Sequence, residues 1–227
     1  MMFWILCLVG LGAAYLLGAT PTGYLAGRLL KGVDIRQLGS GSTGATNVLR
    51  TLGKGPALAV FLVDVAKGAA AVSLGLWLYP WLLGEPLAAP PAIASSVLTP
   101  WAVCLAGLAA LVGHARSIWL GFTGGKSVAA GLGVLLAMSW PVGLGGLAVF
   151  ALAVALFRMV SLGSILAALT AIVLVWALPH PLPYRLMVMA GGLYVVARHQ
   201  ANIRRILAGT EPRLGAATAP AGNPPPR

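Results

Sequence analysis

The residues of this 227-residue chain that could do chemistry are concentrated in three polar stretches separated by apolar sequence. The first stretch, Gly39–Gly55, combines five glycines with five serine or threonine residues and has no acidic side chain. Backbone N–H groups in a glycine-rich loop can turn toward an anion, and no carboxylate competes for them here. We therefore predict a binding loop for an anionic group, with a flexible connector between two helices as the alternative.

The end of this stretch has helical spacing. Arg50 follows Asn47 by three residues and Lys54 follows Arg50 by four, so the three side chains are predicted to share one helix face beside the loop. Because a guanidinium group can hold phosphate oxygens bidentately, this pattern favours capture of a phosphate.

The second stretch, Gly113–Ser127, ends in two glycines followed by Lys126. Its last letters, GKS, are those of a nucleotide-binding P-loop, but Leu120 stands where that motif requires a glycine, and no strand is predicted before it. The sequence therefore argues against a nucleotide-hydrolysing enzyme. Glycines and a lysine at the start of a helix remain well placed for phosphate, since free N–H groups and the helix dipole both favour an anion.

The third stretch, Ala197–Gly215, contains a histidine, an asparagine and several arginines. Arg204 and Arg205 suit either a phosphate-bearing substrate or anionic lipid headgroups beside the membrane. Glu211, the only acid of this stretch, either clamps an arginine in place or is a solvated charge.

Composition places these stretches in a membrane protein. Hydrophobic residues make up 59% of the chain and charged residues only 8%, against about 25% charged in an average soluble domain. Cys7 and Cys104 lie inside apolar runs, which argues against a disulfide framework. The three histidines are scattered without neighbouring carboxylates, so neither a metal site nor another cofactor is predicted. The net charge of +11 is interpreted as charge segregation across a bilayer rather than as nucleic-acid binding.

Hydropathy and basic residues predict an all-α, polytopic membrane protein with seven transmembrane helices, some short or broken, and three cytoplasmic motif loops. Thirteen of the fifteen basic residues fall on the cytoplasmic side, all except Lys67 and Arg185, which places the N-terminus outside. We predict one domain over 1–215 and a disordered cytoplasmic tail over 216–227. The predicted spans are 1–27, 56–80, 101–113, a short one at 127–139, 142–157, 161–178 and 184–197, with outer connections at 81–100, 140–141 and 179–183.

Two pairs of polar residues fall inside predicted spans. Asp64 and Lys67 lie three residues apart on one helix face, where they are expected to pair in the protein interior, either as a supporting pair or in direct contact with substrate. Ser161 and Ser164, at the start of the sixth span, are predicted to be helix-packing residues.

Together, the three stretches resemble the motifs of a bacterial family, the acyl-phosphate:glycerol-3-phosphate acyltransferases. That family has a GSGNxGATN-type loop, a GH…GGK loop and an H-x-x-N-I-x-R segment. This chain has GSGSTGATN, GHARSIWLGFTGGKS and HQANIRR in the same order, and the resemblance covers nearly its whole length. It departs from the family pattern at Ser42, where many members have asparagine, and at Thr123 and Ser127, in a loop often written FKGGKG.

The resemblance implies an enzyme of the bacterial inner membrane that moves a fatty acyl group from acyl phosphate to the 1-hydroxyl of sn-glycerol 3-phosphate. Lysophosphatidic acid and phosphate would form without a covalent acyl-enzyme. The implied partners are both substrates, membrane lipid and the enzyme that supplies acyl phosphate, with no cofactor. The implied site residues are a catalytic set, His199, Asn202, Ser40 and Lys126, and a substrate-binding set, Arg50, Asn47, Gly41, Gly44, Gly124, Gly125, His114 and Arg204.

The sequence leaves two alternatives open. His199 either takes the hydroxyl proton, or only binds and orients while a substrate phosphate takes it; a site rich in arginine and lysine disfavours imidazolium, which favours the second. The alternative function is a small organic-phosphate transporter, because cationic glycine loops at broken helices also suit anion passage. The outer connections offer no binding-type loop, which argues against transport.

Overall fold

A computed structural model describes residues 2–84 and 95–215, and over these ranges the chain folds as α-helices joined by short connections. Two short 3-10 turns, Ile35–Gln37 and Ile118–Leu120, lie in the loops before α3 and α6. The prediction of an all-α fold is confirmed. The helices are α1 Met2–Ala19, α2 Thr22–Lys31, α3 Ala45–Thr51, α4 Lys54–Gly84, α5 Ser95–Ala115, α6 Val128–Met138, α7 Trp140–Phe157, α8 Val160–Ala177, α9 Leu182–Arg198 and α10 Gln200–Leu207.

Several helical stretches are long and apolar enough to cross a membrane. α6 has only 11 residues and α9 has 17, fewer than the roughly 20 that a crossing normally needs. The fourth predicted span is therefore short, as expected, while the total of seven crossings stays a prediction. Five stretches of the described residues meet the length and composition of a full span: Trp4–Lys31, Lys54–Tyr79, Val97–Ala115, Trp140–Phe157 and Val160–Ala177.

The first predicted span, 1–27, largely coincides with the candidate span Trp4–Lys31, but the prediction of one continuous helix is wrong. α1 ends at Ala19 and α2 begins at Thr22, directly after Pro21. Proline has no N–H to donate and disfavours helical geometry in the residue before it, so the helix breaks there.

The predicted outer loop 81–100 is too long. α4 continues for four residues beyond Pro80, and α5 begins early enough to include Pro100. A proline inside a membrane helix is tolerated when neighbouring groups satisfy the carbonyl that it leaves free. Glu85, predicted to lie in this loop, is outside the described residues, as is the predicted tail 216–227.

Two other expected boundaries are also wrong. The predicted outer turn at Trp140–Pro141 is the first turn of α7, where the missing N–H of proline costs little. α3 ends at Thr51, and Gly53 follows with a φ of 99°, so Lys54 starts a new helix. Lys54 therefore does not share a helix face with Arg50.

Glycines allow the helices to approach closely. α4 packs against α1, α5 and α6, and α7 packs against α8. Where α4 crosses α6, a Cβ on Gly133 would overlap the carbonyl oxygen of Val65, and a Cβ on Gly68 would overlap that of Ala130. Small residues at such crossings are typical of helix pairs in membranes, where close backbone packing replaces the hydrophobic effect.

We expect Gly133→Ala to weaken the α4–α6 crossing, because the added methyl group would push the α4 backbone away. Overpacking of this kind costs about 1–3 kcal/mol of unfolding free energy. Thermal unfolding in detergent should therefore give a lower Tm than the wild type. Gly12→Ala is the matched control, since nothing lies within 4 Å of a Cβ there. An equal loss in both variants would contradict the packing argument.

Candidate active site

One cavity of about 120 Å³ lies where the three polar stretches meet. The first loop and α3 form one wall, the loop before α6 forms a second, and the junction of α9 with α10 forms a third. The structure thus brings together side chains from opposite ends of the sequence. Eight of the twelve predicted site residues line this cavity: Ser40, Gly44, Asn47, Arg50, His114, Lys126, His199 and Asn202.

The other four predicted residues do not line the cavity. Gly41 turns the first loop with a φ of 69°, which glycine adopts without strain. Gly124 and Gly125 pack on the end of α5, where a Cβ would overlap the carbonyl oxygen or the ring of His114. Arg204 is exposed on α10. The glycines therefore shape the loops, and the position of Arg204 agrees better with its alternative role at lipid headgroups.

Asn47 holds the first loop in shape. It is 1% exposed, and its Oδ1 accepts the N–H of Ser40 at 2.9 Å. Its Nδ2 donates to the carbonyl oxygens of Ile35, Leu38 and Ser42 at 2.8–3.0 Å. Because these bonds occupy the donors of the amide, the structure gives Asn47 a loop-holding role. Its predicted contact with substrate stays a prediction.

Lys126 joins the second stretch to the third. Its ammonium group donates to the amide oxygen of Asn202. Burial is the largest cause of a lowered pKa of about 8 for Lys126; the neighbouring arginines act in the same direction and the charge of Glu211 opposes them. Lys126 is therefore charged at pH 7 and loses its proton in mildly alkaline solution.

Glu211 is the carboxylate that orders the third stretch. It is 5% exposed and accepts hydrogen bonds from Ser161 Oγ at 2.7 Å, Asn202 Nδ2 at 2.7 Å and Arg205 Nε at 2.8 Å. Burial alone would raise its pKa, but these hydrogen bonds and the charge of Arg205 keep the pKa below its usual value. Of the two alternatives for Glu211, the arginine clamp is the one observed.

Ser161 is a site residue that the sequence did not reveal. It was expected to pack between helices, yet it lines the cavity and donates to Glu211. A serine at the start of an apolar helix carries no local signal of such a role, because its partner lies fifty residues away in sequence. The only sequence feature that could have indicated this role is Glu211, the single acid of the third stretch, which needs a hydrogen-bond donor when it is buried.

His199 is held as a neutral ring. It is 3% exposed, and its Nδ1 lies 2.7 Å from the carbonyl oxygen of Val195, so Nδ1 carries the proton and Nε2 is left as an acceptor. Burial lowers the pKa of His199 to about 4; the hydrogen bond to Val195 opposes this shift and the charge of Lys126 adds to it. The imidazole is therefore uncharged at pH 7.

Known proteins show which family the chain belongs to. Residues 8–209 match the family model described as glycerol-3-phosphate acyltransferase. The chain belongs to the glycerol-3-phosphate acyltransferase family. It is 67% identical over 216 residues to glycerol-3-phosphate acyltransferase 2 of Rhizobium johnstonii, covering 95% of this chain and 99% of that protein. It is 55% identical over 212 residues to the glycerol-3-phosphate acyltransferase of Synechococcus sp. strain JA-3-3Ab, covering 93% and 95% of the two chains.

Solved structures of the family share the fold. The glycerol 3-phosphate form of PlsY (YgiH), an integral membrane glycerol 3-phosphate acyltransferase, matches with a TM-score of 0.78 and 36% identity, covering 92% of this chain and 96% of that one. Its lysophosphatidic acid form matches with a TM-score of 0.75 and 35% identity, covering 92% and 95%. The predicted family resemblance is confirmed, and this acyltransferase is a polytopic membrane enzyme.

The three departures from the family pattern have different surroundings. Ser42 lines the cavity, and its Oγ accepts the N–H of Gly44 at 3.3 Å. The Thr123 hydroxyl donates a hydrogen bond to the carbonyl oxygen of Leu120 in its own turn. Its side chain is exposed and does not line the cavity. Ser127 has a φ of 59°, where glycine would be unstrained, and its Oγ donates to the carbonyl oxygen of Leu111 at 2.9 Å. The acyltransferase thus keeps a strained serine that is tied to α5.

Replacing Asn47 with alanine should disorder the first loop, because the Ser40 N–H and several carbonyl groups, among them the buried one of Ile35, would lose their partner. Each such unsatisfied group costs about 1–3 kcal/mol. We expect a lower Tm in detergent together with the loss of most acyltransferase activity. Ser42→Asn, which introduces the residue that is common in the family, is the control and should retain both. A stable, active Asn47→Ala variant would contradict the loop-holding role.

Proposed function

We propose that this acyltransferase moves a fatty acyl group from acyl phosphate to the 1-hydroxyl of sn-glycerol 3-phosphate, giving lysophosphatidic acid and phosphate. The observation that carries the proposal is the junction of two cavities. The polar cavity continues into an apolar one of about 110 Å³. An acyl phosphate has the same division, with a charged head and a hydrocarbon chain. Five residues line both cavities: Phe61, Ser127, Val128, Phe150 and Ser164.

The apolar cavity suits a fatty acyl chain. It lies between α6, α7, α8 and α9, and aliphatic side chains such as Leu132, Leu147 and Val195 form its wall. Gly146 and Gly191 also line it, where the missing side chains leave room. Burial of hydrocarbon in such a cleft favours binding without a specific polar contact.

The polar cavity suits two phosphates. Glycerol 3-phosphate and the head of the acyl donor repel each other, so their approach needs fixed cations and N–H donors. Arg50 lines the cavity and forms no ion pair with residues of 2–84 or 95–215, which leaves its guanidinium for phosphate oxygens. Lys126 adds a point charge on the facing wall.

In the proposed transfer the 1-hydroxyl oxygen attacks the acyl carbonyl carbon. A new ester C–O bond forms, the bond from the acyl carbon to the phosphate oxygen breaks, and phosphate leaves with that electron pair. Asn202 donates one side-chain N–H to Glu211. Its second N–H can stabilise the acyl carbonyl oxygen as that oxygen becomes an oxyanion, and the loop at Ser40 can contribute to the same stabilisation. The hydroxyl proton passes to a phosphate oxygen.

His199 binds and orients substrate in this proposal. A base whose pKa is about 4 takes up protons weakly at neutral pH, which supports the choice of a substrate phosphate as the proton acceptor. The free Nε2 can still accept a hydrogen bond from a glycerol hydroxyl.

We also propose the inner membrane as the location, with the N-terminus outside and the polar cavity toward the cytoplasm. The support is the clustering of basic residues in and around the three stretches, as the positive-inside rule requires. A cytoplasmic cavity would be reachable by glycerol 3-phosphate and by the enzyme that supplies acyl phosphate.

The decisive experiment uses the purified acyltransferase in detergent with palmitoyl phosphate and glycerol 3-phosphate. Release of phosphate with formation of an equal amount of lysophosphatidic acid is expected. Palmitoyl phosphate should give no lysophosphatidic acid without protein. Failure to release phosphate, combined with uptake of glycerol 3-phosphate into proteoliposomes, would favour the transporter instead.

The pH dependence should distinguish the roles of Lys126 and His199. Lys126 is charged below its pKa of about 8 and neutral above it, so kcat/KM of the wild type should fall above about pH 8. Lys126→Arg should lose this alkaline limb, because arginine stays charged. A phosphate monoester titrates near pH 6 in every variant.

His199→Gln should therefore lower kcat/KM but keep the same acidic and alkaline limbs as the wild type. The measurement is kcat/KM from about pH 3 to about pH 10 for all three proteins. If the wild type shows a second acidic limb at the His199 pKa of about 4, below the shared limb of the substrate phosphate, and His199→Gln loses it, then His199 is the general base.

A further inference from the structure

A buried charged cluster lies beneath the second loop, and the mechanism above does not use it. Asp64 of α4 is 0% exposed, and three groups converge on its Oδ1. Thr22 Oγ donates to it at 2.6 Å, Lys67 Nζ lies at 2.8 Å and His114 Nδ1 lies at 3.7 Å. Charged groups inside membrane proteins are costly, so a retained one calls for a functional explanation.

The second oxygen of Asp64 is enclosed. Asp64 Oδ2 and His114 Nδ1 are both buried and have no hydrogen-bond partner among the described residues. The carboxylate oxygens are thus closed off from solvent, although Asp64 and His114 both belong to the cavity wall. This enclosure points to an effect of Asp64 through a neighbouring group.

His114 is that neighbour, because it lies between Asp64 and the second loop. Its carbonyl oxygen accepts the N–H of Gly125 at 3.1 Å, and a Cβ on Gly125 would overlap Nε2 of its ring. The next residue is Lys126, which carries one of the cavity's cations. A rotation of the His114 ring would therefore displace the backbone that positions Lys126.

The opposite side of the carboxylate is fixed by the break between α1 and α2. Lys67 Nζ donates to the carbonyl oxygen of Thr20 at 2.9 Å as well as pairing with Asp64. Thr22, the first residue of α2, supplies the third contact. The break thus anchors the carboxylate, and the carboxylate faces His114 from a fixed position.

We propose that Asp64 is a positioning residue for acyl transfer, which sets the orientation of the His114 ring and through it the place of Gly125 and Lys126 in the cavity. The inference rests on the proposed function only for its kinetic assay. The competing explanation is that Asp64 and Lys67 are a structural ion pair with no effect on the second loop.

The test removes both charges of the pair. Asp64→Asn alone would strand the Lys67 charge in the interior, which is strongly destabilising, whereas the double variant Asp64→Asn, Lys67→Met restores neutrality. Tyr79→Phe is the matched control, since it removes a hydrogen bond to the Cys7 carbonyl oxygen near the other end of α4. Three quantities are measured in detergent: the Tm, the hydrogen-exchange rate of the Gly125 amide, and KM for glycerol 3-phosphate.

The double variant is expected to keep a Tm close to that of the wild type. Its Gly125 amide should exchange about tenfold faster, and its KM for glycerol 3-phosphate should rise about tenfold, by analogy with the lower end of the effect seen when a metal-bound side chain loses its outer partner. A smaller folded fraction lowers the apparent kcat but cannot raise KM, so the two effects are separable. Tyr79→Phe should change neither exchange nor KM. Unchanged exchange and KM in a folded double variant would overturn the proposal.

A milder variant covers the case in which the double variant does not fold. Thr22→Val removes a donor from the same carboxylate oxygen without changing any charge. It should raise Gly125 exchange and KM by about 2–10-fold, the worth of one hydrogen bond, and no change in either would overturn the proposal. Turnover of palmitoyl phosphate by the wild type tests the proposed function separately, since the exchange measurement needs no substrate.

Discussion

The chain of contacts from Glu211 through Asn202 to Lys126 is the interaction on which the cavity depends. Glu211 receives the amide N–H of Asn202, and the amide oxygen of Asn202 receives the ammonium of Lys126. The third stretch is thereby tied to the second, although the two arrive from different helices. Without the negative charge of Glu211, the lysine and arginines gathered around the cavity would repel one another before any phosphate arrived.

Buried carboxylates also lie close to the other two polar stretches. The chain has only four acidic residues, and the three in the described ranges are all buried. Asp34 precedes the first stretch and pairs with Arg36: its hydrogen bonds with the Arg36 side chain hold its pKa at about 2, although burial opposes the shift. Asp64 lies beneath the second stretch and Glu211 within the third. Scarce acids therefore order a cationic site, while the cations on the cavity side stay available for substrate.

The three motifs could be found from the sequence, but the buried contacts that hold them in place could not. Three polar stretches on one predicted face correctly indicated a shared cavity, because loops with the same charge and topology end on the same side. The role of Asn47 could not be predicted, since its partners are backbone carbonyls that carry no sequence signal. The apolar cavity was equally hidden, because it is formed by the packing of four helices whose residues look alike in sequence. Pro21 itself could have indicated the helix break, but the apolar residues on both sides of it favoured one continuous span.

The boundary between the two cavities explains why direct transfer suits this site. The acyl carbon of a bound donor would lie where the charged head meets the hydrocarbon chain, and the two serines at that boundary are Ser127 and Ser164. Both hydroxyl groups donate to backbone carbonyls, of Leu111 and Val160, at 2.9 Å. A hydroxyl committed in this way, without a base beside it, is a poor nucleophile. The boundary therefore leaves the attack on the acyl carbon to the hydroxyl of the substrate.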